Sequence, residues 1–241
     1  MRALRLLFGV LCAATGTGCI SAPAWEYGST AKTKELDLPA CSAASIIEDA
    51  EDFDSKDFGH KGNVVEGRGG NWFSFVDPSG STITPVGWPF KMGSPGRNGS
   101  RGAAHMSGKM ASTGDAIYAG MGVWLTDPTG PYDASRYSGV TFWAKGPGRV
   151  RFEIPDVHTG PEGGICKDCY NDFGIVLALE PDWRKYTIRF EWLEQRSGWG
   201  EPYPALQTDQ ILKLEWEFNG AGRDYDIWID DIAFICEGST P

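Results

Sequence analysis

The residues best suited to chemistry in this 241-residue chain are aromatic side chains in or beside long glycine- and proline-rich segments. The sequence holds 10 tryptophans, more than the core of one domain needs. Flat indole and phenol rings stack on the C–H faces of sugar rings, while carboxylate and imidazole groups hydrogen-bond the hydroxyls. We therefore predict a sugar-stacking surface that draws on Trp72, His105, Trp124, Tyr170, Asp172 and Trp199.

Structural roles compete with this interpretation. His105 also suits a structural position on a strand, and the aromatic residues on loops also suit anchors that pack each loop down. Trp143, Trp183 and Trp216 lie in strand-like contexts, so we expect these three in the core.

The first residues of the chain have the features of an export signal. Arg2 and Arg5 precede an apolar run that is too short to span a membrane, and small residues lead to Cys19. The ending GTGC resembles a bacterial lipobox, although Gly16 stands where an aliphatic residue is usual. We expect a lipoprotein-type signal peptide over residues 1–18 and a lipid on Cys19. An ordinary signal peptide is the alternative. The protein would then be exported and either lipid-anchored at the cell envelope or outer membrane, or secreted.

Export makes disulfides the expected state of the other cysteines. Cys41, Cys166, Cys169 and Cys236 allow three pairings. Cys41 precedes the first strand-like segment and Cys236 follows the last, so they meet if those strands pair antiparallel. We therefore favour Cys41–Cys236 and Cys166–Cys169. A zinc site that uses His158, Cys166 and Cys169 is the competing idea, but no second metal-binding motif supports it.

The charge balance and the motifs exclude several functional classes. Asp and Glu number 32 against 22 Lys and Arg, and the formal net charge of -10 argues against nucleic-acid binding. No GxSxG, HExxH or P-loop motif occurs, and only three histidines are available for acid–base work. The sequence therefore offers no nucleophile–base arrangement.

The elements that must position these residues are strands. Apolar and polar residues alternate over residues 149–154, 186–190, 212–218 and 225–230. Two further strand-like runs cover residues 140–144 and 174–179, and glycines and prolines cluster between the runs. We find no convincing helical period. The pattern predicts an all-β, two-sheet antiparallel β-sandwich or jelly roll.

The composition divides the chain into three parts. A signal peptide over 1–18 is followed by a flexible tether over 19–40 and a β-sandwich domain over 41–238. Within the domain, residues 77–100, 155–172 and 193–209 form long connections, which in compact domains are usually functional or disordered.

Two terminal motifs resemble a known family. Residues 46–54 (IIEDAEDFD) and 225–235 (YDIWIDDIAFI) resemble the first and last strands of family 11-like carbohydrate-binding modules with the galactose-binding-like jelly-roll fold. Further similarities lie in residues 67–75, 132–146 and 198–206. Ala50 departs from the Phe that is usual in the first motif. The resemblance implies non-catalytic binding of a polysaccharide or oligosaccharide by a monomer.

The same resemblance implies a structural calcium ion where the first and last strands meet. By position its ligands would be Asp49, Glu51 and Asp230 together with backbone carbonyls. Ca²⁺ takes about six to eight oxygen ligands, which carboxylates on adjacent strands can supply. The alternation of apolar and polar residues along the last strand also changes phase at Asp230-Asp231, which predicts a β-bulge there. A solvated acidic edge is the alternative.

Two other functions stay open. A small jelly-roll glycoside hydrolase or lyase would need two carboxylates about 5–10 Å apart. A protein-interaction domain of the envelope is the third reading, and a resemblance to the complex I intermediate-associated family, which shares the fold, supports it.

Overall fold

The computed structural model describes Cys41, residues 43–51 and residues 61–236. The predicted signal peptide, the tether and Cys19 lie outside these residues. Within the described part of the chain, no helix is long and apolar enough to cross a membrane.

Nearly all regular structure in these residues is strand. The strands are β1 (Ile46–Glu48), β2 (Trp72–Val76), β3 (Thr82–Thr84), β4 (Ala104–Lys109), β5 (Tyr118–Trp124), β6 (Tyr137–Lys145), β7 (Arg149–Ile154), β8 (Phe173–Ala178), β9 (Arg184–Arg189), β10 (Lys213–Asn219) and β11 (Asp224–Cys236). Short 3₁₀ turns cover Ala43–Ser45, Arg97–Gly99, Pro161–Gly163 and Phe190–Trp192.

The strands form two antiparallel sheets. One has the order β3-β4-β11-β6-β9, with β1 also paired to β11. The other has the order β2-β5-β10-β7-β8. Consecutive strands repeatedly cross from one sheet to the other, so each sheet combines distant parts of the sequence. This arrangement confirms the predicted all-β, two-sheet sandwich.

The period-two pattern decides which side of each strand enters the core. On β10, Leu214, Trp216 and Phe218 are buried between the sheets, while Lys213 and Glu217 point to the outer face. Burial of these large apolar side chains on folding is the main favourable free-energy term of such a sandwich.

Aromatic rings from both sheets meet at Trp216 in the middle of the core. Its ring stacks on Trp72 with 6.0 Å between centroids, and the ring of Phe142 meets it edge-on at 5.2 Å. Phe142 belongs to the sheet opposite Trp216, so this contact holds the two layers together.

Both predicted disulfides are present. Cys41 and Cys236 are bonded, with their Cα atoms 5.5 Å apart, and β1 pairs antiparallel with β11 beside them. Cys166 and Cys169 are bonded in a loop of the opposite sheet, with Cα atoms 5.2 Å apart. The competing zinc site is therefore wrong, because both of its sulfur ligands are oxidised.

The predicted bulge on the last strand is also confirmed. The pairing of β11 with β6 shifts register between Asp230 and Ala233, and Asp231 takes a left-handed φ of 49°. The extra residue leaves Asp230 with only 1% of its surface exposed. An aspartate buried this deeply needs hydrogen-bond donors or a cation.

Candidate functional site

Trp72 lies in the core, so its predicted role in stacking on a sugar is wrong. Its surface is 0% exposed, its ring packs on Phe90 and Trp216, and its Nε1–H donates to Glu48 Oε2 at 2.7 Å. The register of β2 turns Trp72 inward and the neighbouring Phe73 outward. The indole therefore has no face open to a ligand.

His105 lies on the other sheet from the remaining candidates, so the six predicted residues do not form one site. It sits on the outer face of β4 and stacks on Trp228 with 3.9 Å between ring centroids. Its Nε2 is 3.2 Å from Asp226 Oδ2. Trp124 is on β5, in the opposite sheet, so the two side chains lie on different sides of the sandwich.

The outer face of the β2-β5-β10-β7-β8 sheet, called the β10 face below, carries a row of half-buried rings. Phe73 lies 5.4 Å from Trp124 and 6.1 Å from Phe75, and Phe75 lies 6.2 Å from Tyr118. A Cβ atom at Gly120 would overlap the ring of Phe75. Glycine at this strand position therefore lets the rings lie down on the sheet.

Beside the rings, the β10 face carries a network of buried charges. Glu153 accepts from Arg151 at 2.5 Å and from Arg196 at 3.3 Å. Arg196 also donates to Glu217 at 2.9 Å. Glu153 faces a second glutamate, Glu215, across the β7–β10 pairing.

Lys213 joins the charged half of the face to the aromatic half. Its Nζ is 2.9 Å from Glu215 Oε1, 4.5 Å from the centroid of Trp124 and 5.4 Å from that of Phe73. The two halves therefore form one continuous surface.

The carboxyl groups of this network hold protons more tightly than usual. Burial raises the pKa of Glu153 to about 8, and the nearby charge of Glu217 adds to the effect. Burial, with Glu215 as the next cause, raises the pKa of Asp172 to about 7. Glu215 is also raised by burial, to a pKa of about 7. The carboxyls outnumber the cations Arg151, Arg196 and Lys213, so their mutual repulsion adds to burial in favouring bound protons on these three acidic groups.

Asp172 is the least satisfied member of the network. Its Oδ1 is buried and has no hydrogen-bond partner in the described residues. Atoms of Glu153, Asp172 and Glu215 lie within 4.8 Å of one another, close enough to hold a metal ion. Positive charge is already supplied there by Arg151, Arg196 and Lys213. The cluster therefore needs only a bound proton, and not a divalent metal ion, to offset the remaining negative charge.

The carboxylates predicted to hold calcium have hydrogen-bond partners within the protein. Asp230 Oδ2 accepts from the Arg97 N–H at 2.8 Å and from the Ser100 hydroxyl at 3.1 Å, while Oδ1 accepts from the Asp231 N–H at 2.9 Å. Both oxygens of Asp230 are thus already bonded to donors.

Backbone N–H groups also bond the other two predicted ligands at this edge, Glu51 and Asp49. Glu51 Oε1 accepts from the Arg101 N–H at 3.1 Å, and the Arg97 guanidinium binds Asp231 at 2.8 Å through Nε. Asp49 Oδ1 accepts from the Glu51 N–H at 3.2 Å. In the described residues, N–H groups therefore bond the carboxylate oxygens that the resemblance expects to bind calcium.

Tyr170 rises beside the β10 face on the loop closed by Cys166–Cys169. It holds a left-handed φ of 73°, unusual for a residue with a Cβ, and 63% of its surface is exposed. Its N–H donates to Thr159 O at 2.9 Å, which fixes the backbone. Burial raises the pKa of Tyr118, and the charges of Glu217 and Asp77 add to the effect.

Asn171 connects this loop to the loop that carries Trp199. Its Nδ2 donates to Arg196 O at 2.9 Å and to Trp199 O at 2.7 Å, and its Oδ1 accepts from the Arg196 N–H at 2.8 Å. Trp199 is 44% exposed, and the next residue along the chain from Asn171 is Asp172. One amide side chain therefore holds Tyr170, Asp172 and Trp199 on the same side of the sheet.

The structure thus gathers four of the six predicted residues at the β10 face, namely Trp124, Tyr170, Asp172 and Trp199. Sequence reasoning missed Asn171, which carries no recognisable motif. It also missed the rings of Phe73, Phe75 and Tyr118. The alternation of Lys213, Glu215 and Glu217 opposite a buried stripe was the one available signal for the charged half.

Comparison with known proteins identifies the fold. No family model matches the sequence, and no curated protein matches it. Among solved structures, it resembles the family 11 carbohydrate-binding module of the cellulosomal cellulase Lic26A-Cel5E of Clostridium thermocellum. The TM-score is 0.54 at 18% identity, over 81% of this chain and 96% of that one.

A second structure of similar fold has a bound ligand. It is a family 11 carbohydrate-binding module from Clostridium thermocellum in complex with a β-1,3-1,4-mixed-linked tetrasaccharide. The TM-score is 0.51 at 19% identity, over 76% of this chain and 98% of that one. At this identity the likeness establishes a shared jelly-roll fold.

Proposed function

We propose that this protein binds a polysaccharide without cleaving it, through the β10 face. The observation that carries the proposal is the row of Phe73, Phe75, Tyr118 and Trp124 on an outer sheet surface, next to an internally balanced charge network. Rings of this kind offer flat apolar area for sugar C–H groups. Tyr170 and Trp199 then form the opposite wall of the site.

The charges of the face favour a neutral sugar chain. Arg196 and Glu217 form a pair at 2.9 Å with 22% and 15% of their side chains exposed. Their remaining donor and acceptor positions can hydrogen-bond hydroxyl groups, and the pair leaves no large net charge for an ionic ligand to match. One protein of similar fold is in complex with a β-1,3-1,4-mixed-linked tetrasaccharide, so a mixed-linked β-glucan is the natural first test.

A glycoside hydrolase is the second candidate, because carboxyl groups with raised pKa values lie close together. Against it, the side chains of Glu153 and Glu215 are only 4% and 9% exposed, and each contacts a cation. A carboxyl that cannot reach a glycosidic oxygen cannot protonate it. Release of reducing sugar from a bound polysaccharide, lost on Glu153→Gln, would favour the hydrolase.

The decisive experiment combines a glycan array with affinity electrophoresis in mixed-linked β-glucan. We expect Trp124→Ala to weaken binding by at least about tenfold, since one stacked ring contributes more than about 1 kcal/mol. The matched control is Trp143→Ala, which removes a half-buried indole from the opposite sheet and should leave glucan binding unchanged.

Two outcomes would contradict the proposal. Equal binding by the wild type and Trp124→Ala would show that the sugar lies elsewhere. A blank array would favour the protein-interaction role.

We also propose that the protein is exported and lipid-anchored through Cys19, and that it acts as a monomer. The support is the sequence GTGC after a short apolar run, together with two disulfides in the domain. Labelled palmitate should enter the wild type but not Cys19→Ser, and the variant should leave the membrane fraction. Gel filtration would test the monomer.

A further inference from the structure

The outer face of the other sheet, called the β11 face below, carries a second ordered set of aromatic residues. His105 stacks on Trp228 at 3.9 Å, the Lys145 ammonium lies 5.0 Å from the Trp228 ring, and the same ammonium lies 4.9 Å from Trp183. Cross-strand pairing produces this order, because Trp228 lies opposite both His105 and Lys145. The result is one continuous stack across three strands.

Lys145 and Lys213 both lie against tryptophan rings, but only Lys213 has a carboxylate partner. On the β10 face, Lys213 contacts Trp124 and is neutralised by Glu215 at 2.9 Å. Lys145 has no carboxylate within salt-bridge distance and no hydrogen-bond acceptor for its Nζ in the described part of the chain. Its ammonium therefore keeps unused N–H donors in a fixed position between two rings.

Two carboxylates on β11 of the same sheet have partners other than Lys145. Asp226 bonds His105 at 3.2 Å, and Asp231 bonds Arg97 at 2.8 Å. Arg97 in turn covers the ring of Trp143, 4.3 Å from its centroid. Neither acid forms an ion pair with Lys145, so its ammonium has no salt-bridge partner in the described residues.

We propose that the β11 face is a second ligand surface, which binds the carboxylate of a uronic-acid polysaccharide at Lys145. A carboxylate accepts charge-assisted hydrogen bonds from the ammonium, and the flanking indoles of Trp183 and Trp228 exclude water from that contact. The sugar ring that bears the carboxylate would contact Trp183 and the part of Trp228 that the Gly93 segment leaves uncovered.

The net charge of the chain means that a polyanion could bind only through a local contact. Its net charge of -10 repels a polyanion, so general electrostatic attraction cannot supply the binding. Affinity for a uronate polymer must then depend on Lys145 and its surroundings, which makes the proposal testable with one substitution.

The experiment is affinity electrophoresis of the purified protein in polygalacturonate and in its methyl ester, in which a methyl group replaces the charge on each carboxyl. We expect the wild type to bind polygalacturonate at least about fivefold more tightly than the ester, and Lys145→Gln to lose about tenfold. Lys109→Gln is the matched control, since Lys109 is an exposed lysine farther along β4 of the same sheet.

Binding to mixed-linked β-glucan separates this proposal from the function proposed for the β10 face. Lys145→Gln should keep glucan binding, and Trp124→Ala should keep polygalacturonate binding. Failure of glucan binding alone would leave the second surface standing, and failure of polygalacturonate binding alone would leave the first.

Several results would overturn the proposal. These are no retardation of the wild type by polygalacturonate, equal losses in Lys145→Gln and Lys109→Gln, or binding to dextran sulfate but not to polygalacturonate. Lys145-dependent binding to phosphatidylglycerol vesicles without polygalacturonate binding would instead assign the face to a membrane.

Discussion

Replacing Asp172 by Asn should stabilise the protein, and the gain should grow as the pH rises from about 4 to about 7. The substitution keeps the shape of the side chain and removes a charge from the crowded network beside Glu153 and Glu215. It also places an amide donor where Asp172 has a buried oxygen without a partner. The variant therefore removes the least satisfied group of the β10 face.

The sign and size follow from the proton held by Asp172. Its pKa is raised on folding from 3.8 to about 7, so the folded state binds the proton more tightly than the unfolded state. This contribution is complete below pH 3.8 and is lost as the pH rises to about 7. One proton changes the free energy of unfolding by about 1.4 kcal/mol per pH unit, which gives an upper limit of about 4 kcal/mol.

Because neighbouring carboxyls also bind protons, the substitution at Asp172 alone changes the free energy of unfolding by less than this limit. Glu153 and Glu215 compete for the proton, so we expect Asp172→Asn to gain about 2 kcal/mol at pH 8 and less than about 1 kcal/mol at pH 5, which lies only part of the way from 3.8 to about 7. Urea unfolding, followed by tryptophan fluorescence at both pH values, measures the difference. The matched control is Asp209→Asn, an exposed carboxyl, which should change stability by less than about 0.5 kcal/mol at either pH. If the gain from Asp172→Asn is no larger at pH 8 than at pH 5, the reasoning is refuted.

Three further predictions concern the core, the loop disulfide and the bulge. Trp72→Phe should cost about 2 to 4 kcal/mol of stability, because Glu48 loses its buried donor, yet glucan affinity of the folded protein should not change. The double variant Cys166→Ser, Cys169→Ser should stay folded and bind glucan several-fold more weakly, as titration calorimetry would show, because Tyr170 is no longer fixed. EDTA should leave the melting temperature unchanged, since N–H donors already satisfy Asp230; a clear drop would restore the calcium site.

The sequence predicted best the strands that alternate cleanly. β10 and β11 have large apolar residues at every second position, and the phase change at Asp230-Asp231 correctly located the bulge. β4 and β5 were missed because Gly108, Gly120 and Gly122 interrupt their pattern. Those glycines are required by neighbouring groups, such as the Phe75 ring over Gly120, and that neighbour comes from another strand.

The candidate site was only partly predictable, for two physical reasons. Trp72 and Phe73 are adjacent aromatic residues on one strand, and only the register decides which of them is buried. His105 lies at the start of β4 and Trp124 at the end of β5, but the topology places these two strands in different sheets. Tyr170 and Trp199 could be predicted because they lie on long loops, where the exposure of a ring does not depend on how the strands pair.

The Cys41–Cys236 bond determines how the domain would carry mechanical load. Tension from the residues that precede Cys41 does not have to pass through the short strand β1 and its few hydrogen bonds. The covalent bond passes it directly to the end of β11, which runs between β4 and β6 in the middle of its sheet. Strands with neighbours on both sides resist being pulled out better than edge strands. A protein held by its N-terminal side while a polymer pulls on its sheets would thus unfold only after this bond is reduced or β11 is torn from the centre.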